Sequence, residues 1–397
     1  MALRIAFVRP RLGMGGAERL VVDAARALGA RGHEVAVFAP DRSSVPQFED
    51  ARSPHFSWRK SGGWIPESWL GRLRAPMAVM RASAAGWLAR GFRPDVVIAD
   101  VTSHIVPWLT RSAGAPVIFY CHYPDVLLTR EGARSRGAYR AYRKLLDRME
   151  VRGLEAARVL LVNSAFTARR LVETFPDLRL DVSILTPGVD TSRIEALTIP
   201  TEGEINVVTV SRLDPRKNLM LAMEAFASAR REVTPELRSR MVLHIAGRYD
   251  QRWPECRETL TSLKEAAVRL ALVDCVRFHL SPDDSTVRAL LTSARVVLYT
   301  PRGEHFGYGP LEAMASARPV IAVNEGGPSE TVIDGITGFL CAATTPDFAA
   351  ALSRCVVDPE LSMRLGIEGR KRAIAHFSLD RFGEELEKIC LREAARS

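Results

Sequence analysis

Val296-Val297-Leu298-Tyr299-Thr300-Pro301 leads through Arg302-Gly303 into Glu304-His305-Phe306-Gly307-Tyr308-Gly309-Pro310-Leu311-Glu312, and Ala313-Met314-Ala315-Ser316-Ala317 follows. The first run is continuously apolar and short, as a strand buried on both faces of a parallel sheet must be, and the last reads as helix. Two glycines and a proline hold the turn between them. Backbone N–H groups in such a turn point outward, and the start of the helix adds a partial positive charge. Two carboxylates, Glu304 and Glu312, flank that cluster of donors. The resulting cup suits a polyhydroxylated, phosphorylated ligand: amides bind phosphate or sugar oxygens, and carboxylates accept from hydroxyls. The alternative is a plain strand–helix turn with one capping glutamate.

The same strand–turn–helix unit recurs along the chain. In the first half strands are expected at Leu3–Val8, Glu34–Ala39, Asp95–Ala99, Pro116–Cys121, Val159–Asn163 and Val182–Leu185, and a helix is expected from Ala17 to about Ala30. Thr186-Pro187-Gly188-Val189-Asp190 reads as a hinge. Alternation resumes at Ile205–Val210, Met241–Ala246, Val276–Leu280, Val296–Tyr299, Pro319–Val323 and Gly338–Cys341. Strands alternating with helices predict α/β architecture with doubly wound parallel sheets. The expected division is residues 1–188, residues 189–375, and a terminal helix over 376–397 that docks back on the first domain. Ligands of such sheets lie beyond the carboxyl ends of the strands, which for two facing sheets means a central cleft.

Composition narrows the function. The chain has 397 residues, enough for two or three domains of ~150 residues each. Its six cysteines show no paired spacing, which argues for a reducing compartment and against a zinc site. No apolar run approaches the ~20 residues of a membrane span, so a cytoplasmic or peripheral protein is expected. A net charge of +9 implies anionic partners without choosing among nucleic acid, phosphorylated substrate and membrane surface.

Several turns at strand ends carry candidate chemistry. Gly13-x-Gly15-Gly16-Ala17-Glu18 departs from the dinucleotide fingerprint, because Glu18 stands where the third glycine belongs, so a nicotinamide enzyme is not expected. Gly15 and Gly16 still allow a ligand to approach the backbone closely. Ser211-Arg212-Leu213-Asp214-Pro215-Arg216-Lys217-Asn218 brings three basic groups to a helix start. Basic residues there oppose the helix dipole unless an anion is present, which favours a diphosphate over a solvated turn. Arg248, in Ala246-Gly247-Arg248-Tyr249-Asp250, is placed to edge a nucleotide base. His122 lies just past a strand end in the first half, a position open to either a functional or a structural role.

Residues 52–93 differ in kind. Eight basic residues face a single acid, Glu67, and four of the six tryptophans (58, 64, 69 and 87) fall here. Trp69, Leu73, Met77, Met80, Ala84 and Trp87 recur at helical spacing. Arginine interleaved with interfacial aromatics suits a helix lying on an anionic membrane, with Trp69, Arg72, Arg74, Arg81 and Trp87 as contact candidates. The other reading is a core-facing helix with a solvated basic face.

Taken together, Gly15-Gly16-Ala17-Glu18, Ser211-Arg212 through Lys217-Asn218, and Glu304-x7-Glu312 resemble the retaining GT-B glycosyltransferases of family 4. Tyr120-Cys121-His122-Tyr123-Pro124-Asp125, Leu298-Tyr299-Thr300-Pro301 and the run 319–328 are similar to those members that add the second and third mannoses to the dolichol-linked oligosaccharide. The resemblance implies two Rossmann-like domains and a retaining α-mannosyltransferase forming an α-1,3 linkage, with an α-1,6 linkage left open. It implies GDP-mannose as donor, a lipid-diphosphate-linked glycan as acceptor, no metal or other cofactor, and work at the cytosolic face of a membrane. By the same resemblance Arg212 and Lys217 hold the donor diphosphate, which the Gly16 backbone approaches. Glu304 and the amides of Phe306, Gly307 and Tyr308 hold the sugar, Glu312 the ribose, and His122 sits beside the anomeric centre. Competing classes are a family 4 enzyme with another nucleotide sugar or a soluble acceptor, and a non-hydrolysing sugar-nucleotide epimerase, for which no dedicated acid–base set is visible. A nucleic-acid binder is not expected, since the basic groups concentrate at strand ends and in residues 52–93 rather than along one continuous face.

Overall fold

The structure, a computed structural model, describes residues 1–9, 15–40, 49–66, 68, 74–130, 138–191 and 202–396. It divides into two compact units, Met1–Gly188 with Leu379–Ser397, and Val189–Ser378.

The first unit holds strands β1 (Arg4–Val8), β2 (Glu34–Ala39), β3 (Ser57–Lys60), β4 (Val96–Asp100), β5 (Val117–Cys121), β6 (Val159–Val162) and β7 (Val182–Ile184). They form one parallel sheet in the order β3-β2-β1-β4-β5-β6-β7. Its helices are α1 (Gly16–Ala30), α2 (Arg74–Phe92), α3 (Val106–Ala113), α4 (Asp125–Arg130), α5 (Ala138–Glu155) and α6 (Ala165–Thr174). The second unit holds β8 (Ile205–Val210), β9 (Met241–Gly247), β10 (Val276–Leu280), β11 (Ala294–Tyr299), β12 (Val320–Val323) and β13 (Gly338–Cys341), parallel in the order β10-β9-β8-β11-β12-β13. Its helices are α7 (Leu219–Glu232), α8 (Pro235–Arg240), α9 (Pro254–Arg269), α10 (Asp284–Ser293), α11 (Tyr308–Ala315), α12 (Pro328–Thr331), α13 (Thr345–Val357) and α14 (Pro359–Phe377). The terminal helix α15 (Leu379–Ala394) belongs to the first unit, where Phe382 and Leu386 meet Leu20, Val21 and Ala24 of α1 over Phe7 and Ile98 of the sheet. Arg31 clamps the same helix through Asp380 at 2.5 Å and Glu387 at 3.3 Å.

Both sheets reverse strand order once. The switch points are β1/β4 and β8/β11, and the loops at the carboxyl ends of those strands are where a doubly wound sheet binds its ligand. Glycine or proline sets the start of the relevant helices: Gly15 is extended at the start of α1, and Gly307 (φ 87°) precedes α11. A Cβ at position 307 would be strained by that left-handed backbone, so glycine is required there.

Residues 52–93 do include a core-facing helix, but its buried face is not the stripe expected. Their first part is an edge strand, β3, whose Arg59 stacks over the Phe92 ring at 4.9 Å. Helix α2 buries a face of small residues, Ala82, Ala85 and Ala89, ending on Phe92, which brings the helix close to the sheet. The apolar stripe read from the sequence lies elsewhere: Met80 and Trp87 are exposed, Trp87 to 69%. Arg81 is the correction among the membrane-contact candidates. It is only 8% exposed, and its Nε donates to the Ile65 carbonyl at 2.6 Å, so it pins the loop before α2 instead of facing outward. Trp69 and Arg72 lie outside the described residues, and so does the side chain of Arg74.

Candidate active site

In the second unit the site is assembled by the loops after β8 and β11. Leu213 is fully buried and its N–H donates to the Arg248 carbonyl at 3.1 Å, which anchors the first loop to the end of β9. Asp214 then caps the short turn Pro215–Lys217, accepting from the Arg216 amide at 3.0 Å and from the Arg216 guanidinium at 3.1 and 2.9 Å. Partial burial alone would raise the Asp214 carboxyl, but the Arg216 hydrogen bonds and charge, helped by Arg212, outweigh it and hold the group at about 2. Arg212 is half-exposed and reaches Asp214 only at 3.7 Å, which leaves its fork largely uncommitted.

Asn218 (φ 50°) turns the chain so that Lys217 points back to the other loop. There its Nζ donates to Oε2 of Glu304, while the Thr300 hydroxyl donates to the Lys217 carbonyl at 2.9 Å. The sequence reading gave Lys217 to the phosphates and Glu304 to the sugar separately; the structure joins the two in one ion pair. Glu304 is 19% exposed. Burial pushes its carboxyl up, but the charge and hydrogen bond of Lys217, the nearby His305 and the Tyr299 hydroxyl together bring it below its ordinary value. Tyr299 itself is buried, and burial followed by the negative charges of Glu304 and Glu312 drives its phenol well above the usual range, so it is a permanent donor to Glu304.

The Glu304 loop is held from behind by the turn 324–328. Gly327 donates its N–H to the Glu304 carbonyl at 2.8 Å. Gly326 has φ 69°, and a Cβ there would fall 2.2 Å from that same carbonyl oxygen. Phe306 is buried and Tyr308 packs edge-on against it at 5.7 Å. Helix α11 begins at Tyr308, not at Ala313 as read from the sequence, so Glu312 lies inside the helix rather than before it. Its N-cap is Gly307, which has no side chain to cap the helix, and the positive end of the α11 dipole faces the Glu304 loop.

In the first unit the start of α1 and the ends of β1, β4 and β5 make a second cluster. Glu18 accepts from the Gly15 N–H at 2.8 Å, closing a capping box at the glycine turn. His122 follows β5; its carbonyl accepts from Asn163 Nδ2 at 3.0 Å, and its Nε2 lies 3.1 Å from Asp100 Oδ2. Asp100 Oδ1 lies 3.0 Å from Nε of Arg9, and Nη2 of Arg9 lies 3.3 Å from Glu18. Arg9 and Asp100 were missed in the sequence. Their signal was available, for each is a charged residue at the carboxyl end of a strand bordering the switch point. Glu150 of α5 was also missed. It accepts the N–H groups of Asp125 at 2.6 Å and Val126 at 3.0 Å at the start of α4, and burial, followed by repulsion from Asp125, raises it to about 8.

Two parallel-sheet units with phosphate-suited loops at their switch points define a GT-B glycosyltransferase. Residues 14–193 match the family model Glycosyltransferase Family 4, and residues 193–372 match that of glycosyl transferases group 1. Solved structures similar in fold include a sucrose-phosphate synthase from Thermosynechococcus elongatus, with TM-score 0.78 and 20% identity over 100% of both chains. Anabaena HepE in complex with UDP-glucose is similar with TM-score 0.73 and 19% identity over 98% of this chain and 99% of its own.

Sequence relatives are more specific. The α-1,3/1,6-mannosyltransferase ALG2 of Homo sapiens is 35% identical over 396 residues, 96% of this chain and 94% of its own. That of Schizosaccharomyces pombe is 36% identical over 364 residues, 85% of this chain and 70% of its own. The chain belongs to this family of mannosyltransferases.

Proposed function

We propose that the protein transfers mannose from GDP-mannose to a lipid-diphosphate-linked oligosaccharide with retention at the anomeric carbon and without a metal ion. The observation that carries the reading is the Lys217–Glu304 pair in the loops beyond the carboxyl ends of β8 and β11, beside the N-terminus of α11. An enzyme that breaks a glycosyl–phosphate bond must stabilise charge growing on the departing diphosphate. Arg212 supplies a planar fork for it and Lys217 a compact charge. Because Lys217 holds Glu304 ionised, the carboxylate is ready to accept from a hydroxyl of the donor sugar, and Glu312 serves the ribose. Arg248 edges the base, Gly15 and Gly16 admit the phosphates closely, and the amides of Phe306, Gly307 and Tyr308 take sugar oxygens. His122 acts beside the anomeric carbon. Attack on the face from which the diphosphate departs retains configuration without a covalent intermediate, so catalysis consists of positioning and charge stabilisation.

A lipid-linked acceptor requires the enzyme to visit a membrane surface. Among the described residues no helix is long and apolar enough to cross one. The exposed stripe of Met80, Trp87 and Leu88 on α2, next to Arg90, offers a peripheral contact instead. Each basic group near an anionic surface is worth about 1 kcal/mol.

The purified protein, assayed with GDP-mannose and a lipid-linked chitobiosyl-mannose acceptor against a panel of UDP-sugars, should transfer mannose alone. Preference for a UDP-sugar, or transfer only to soluble acceptors, would overturn the reading.

A further inference from the structure

Asp100 is the last residue of β4, 2% exposed, and each of its oxygens has its own partner. Oδ1 faces Nε of Arg9 at 3.0 Å, and Oδ2 faces Nε2 of His122 at 3.1 Å. Arg9 is 1% exposed and reaches on to Glu18 at 3.3 Å, whose other oxygen takes the Gly15 amide. A series of alternating charge thus runs from the glycine turn to the histidine: Gly15 amide, Glu18, Arg9, Asp100, His122. Gly15 and Glu18 come from the N-cap and first turn of α1, and Arg9, Asp100 and His122 from strand ends at or beside the first unit's switch point.

A guanidinium is a donor only and stays charged throughout the accessible pH range. Arg9 lies against Oδ1 as an ion-pair partner without a well-aligned hydrogen bond, and Oδ2 is left facing the imidazole as an acceptor. The proton shared with Oδ2 must then sit on Nε2. Among the described residues no hydrogen bond engages Nδ1, and the His122 side chain is partly exposed.

We propose that Asp100 is a positioning residue, held by Arg9, which fixes His122 in the Nε2–H tautomer and so presents Nδ1 as an acceptor to the substrate. The proposal rests on the functional reading of His122 above and adds the residues that set its protonation pattern.

Asp100→Asn tests it, because an asparagine has one acceptor oxygen where two are needed. The charge of Arg9 draws the amide oxygen to its side, the side-chain NH₂ turns to Nε2, and His122 is forced to carry its proton on Nδ1. Nitrogen-15 NMR of the full chain at pH 8.5, with the His122 signals assigned by their loss in His122→Ala, reads the tautomer directly. The wild type should be Nε2–H and Asp100→Asn should be Nδ1–H. Turnover should fall on the order of 10²–10⁴-fold, the scale known for a histidine locked in the wrong tautomer, with the donor KM changed less than about threefold.

An Nδ1–H tautomer in the wild type overturns the proposal, and that measurement does not depend on the variant folding. So does a tautomer unchanged in Asp100→Asn, a reversed tautomer with full turnover, or a loss confined to KM. The tautomer is read without substrate. Inactivity toward GDP-mannose would therefore count against the functional reading alone.

Discussion

Removing the ammonium of Lys217 should make the second unit's stability pH-dependent in a calculable way. In the wild type Glu304 titrates below its ordinary value, so the Lys217–Glu304 pair adds stability that is present above pH 4.5 and lost as the pH falls through the depressed value. Lys217→Ala leaves a carboxylate that is 19% exposed, with the charge of His305 and the Tyr299 hydrogen bond still acting on it among the described residues. Burial then dominates and the sign reverses: the group prefers to be protonated when folded. The cost has a ceiling, because the carboxyl can always escape by binding a proton. Starting from an ordinary value of 4.5, protonation at pH 7.5 costs about 4 kcal/mol at about 1.36 kcal/mol per pH unit. Residual exposure and the Tyr299 bond lower that, so about 2–3 kcal/mol of destabilisation is expected at pH 7.5. At pH 5 the same ceiling is below about 1 kcal/mol. Urea denaturation followed by circular dichroism, at both pH values, on the wild type, Lys217→Ala, Glu304→Gln and the double variant gives the coupling energy as well. In the Glu304→Gln background the lysine deletion should cost less than half as much, since no charge is stranded. A Lys217→Ala loss that is the same at pH 5 and 7.5, or the same in both backgrounds, would refute the assignment of this pair as a buried charge couple.

Arg212→Ala, which removes a half-exposed fork with little structural commitment, should leave stability within about 0.5 kcal/mol of wild type. It should lower kcat by at least tenfold with a smaller change in donor KM, because leaving-group charge grows in the transition state. Activity should persist in excess EDTA; loss on chelation with recovery on adding Mg²⁺ or Mn²⁺ would reveal a metal requirement. Trp87→Ala should reduce co-sedimentation with anionic liposomes while donor hydrolysis is unchanged, and equal binding by variant and wild type would exclude the α2 stripe as the contact. His244 is buried between His279 and Asn206, each at 3.0 Å, and burial followed by the charge of His279 lowers it to about 4. Its folded value lies below its unfolded one, so roughly 3 kcal/mol of stability present above pH 6.5 should drain away as the pH falls toward 4. His244→Leu should flatten the melting-temperature profile across that interval.

How much of this could be read from the chain depends on the range over which each feature is determined. The inner strands are mostly buried and largely apolar, and their positions are legible to within a residue or two because burial on both faces demands a nearly unbroken run. Strand β3, Ser57-Trp58-Arg59-Lys60, is an exposed edge with charged residues that blunt further pairing, and it carries no hydrophobic signature to read. The start of α11 was misplaced because Pro310 and the glycines look like a turn. Proline is in fact tolerated in a first helical turn, where its missing N–H would have no partner anyway. Loop residues such as Arg212, Lys217, Glu304 and His122 were legible because a charged group at the carboxyl end of a buried strand has few structural reasons to be there. Their pairing was not. Lys217 meets Glu304 across 87 positions, and Asp100 meets Arg9 across the neighbouring strands β1 and β4. Such pairs are created by sheet order, which places the ends of non-consecutive strands side by side. Arg9 and Asp100 are each ordinary when read alone. Only once β1 and β4 are known to be neighbours does an arginine facing an aspartate at two adjacent strand ends become a device for holding a histidine.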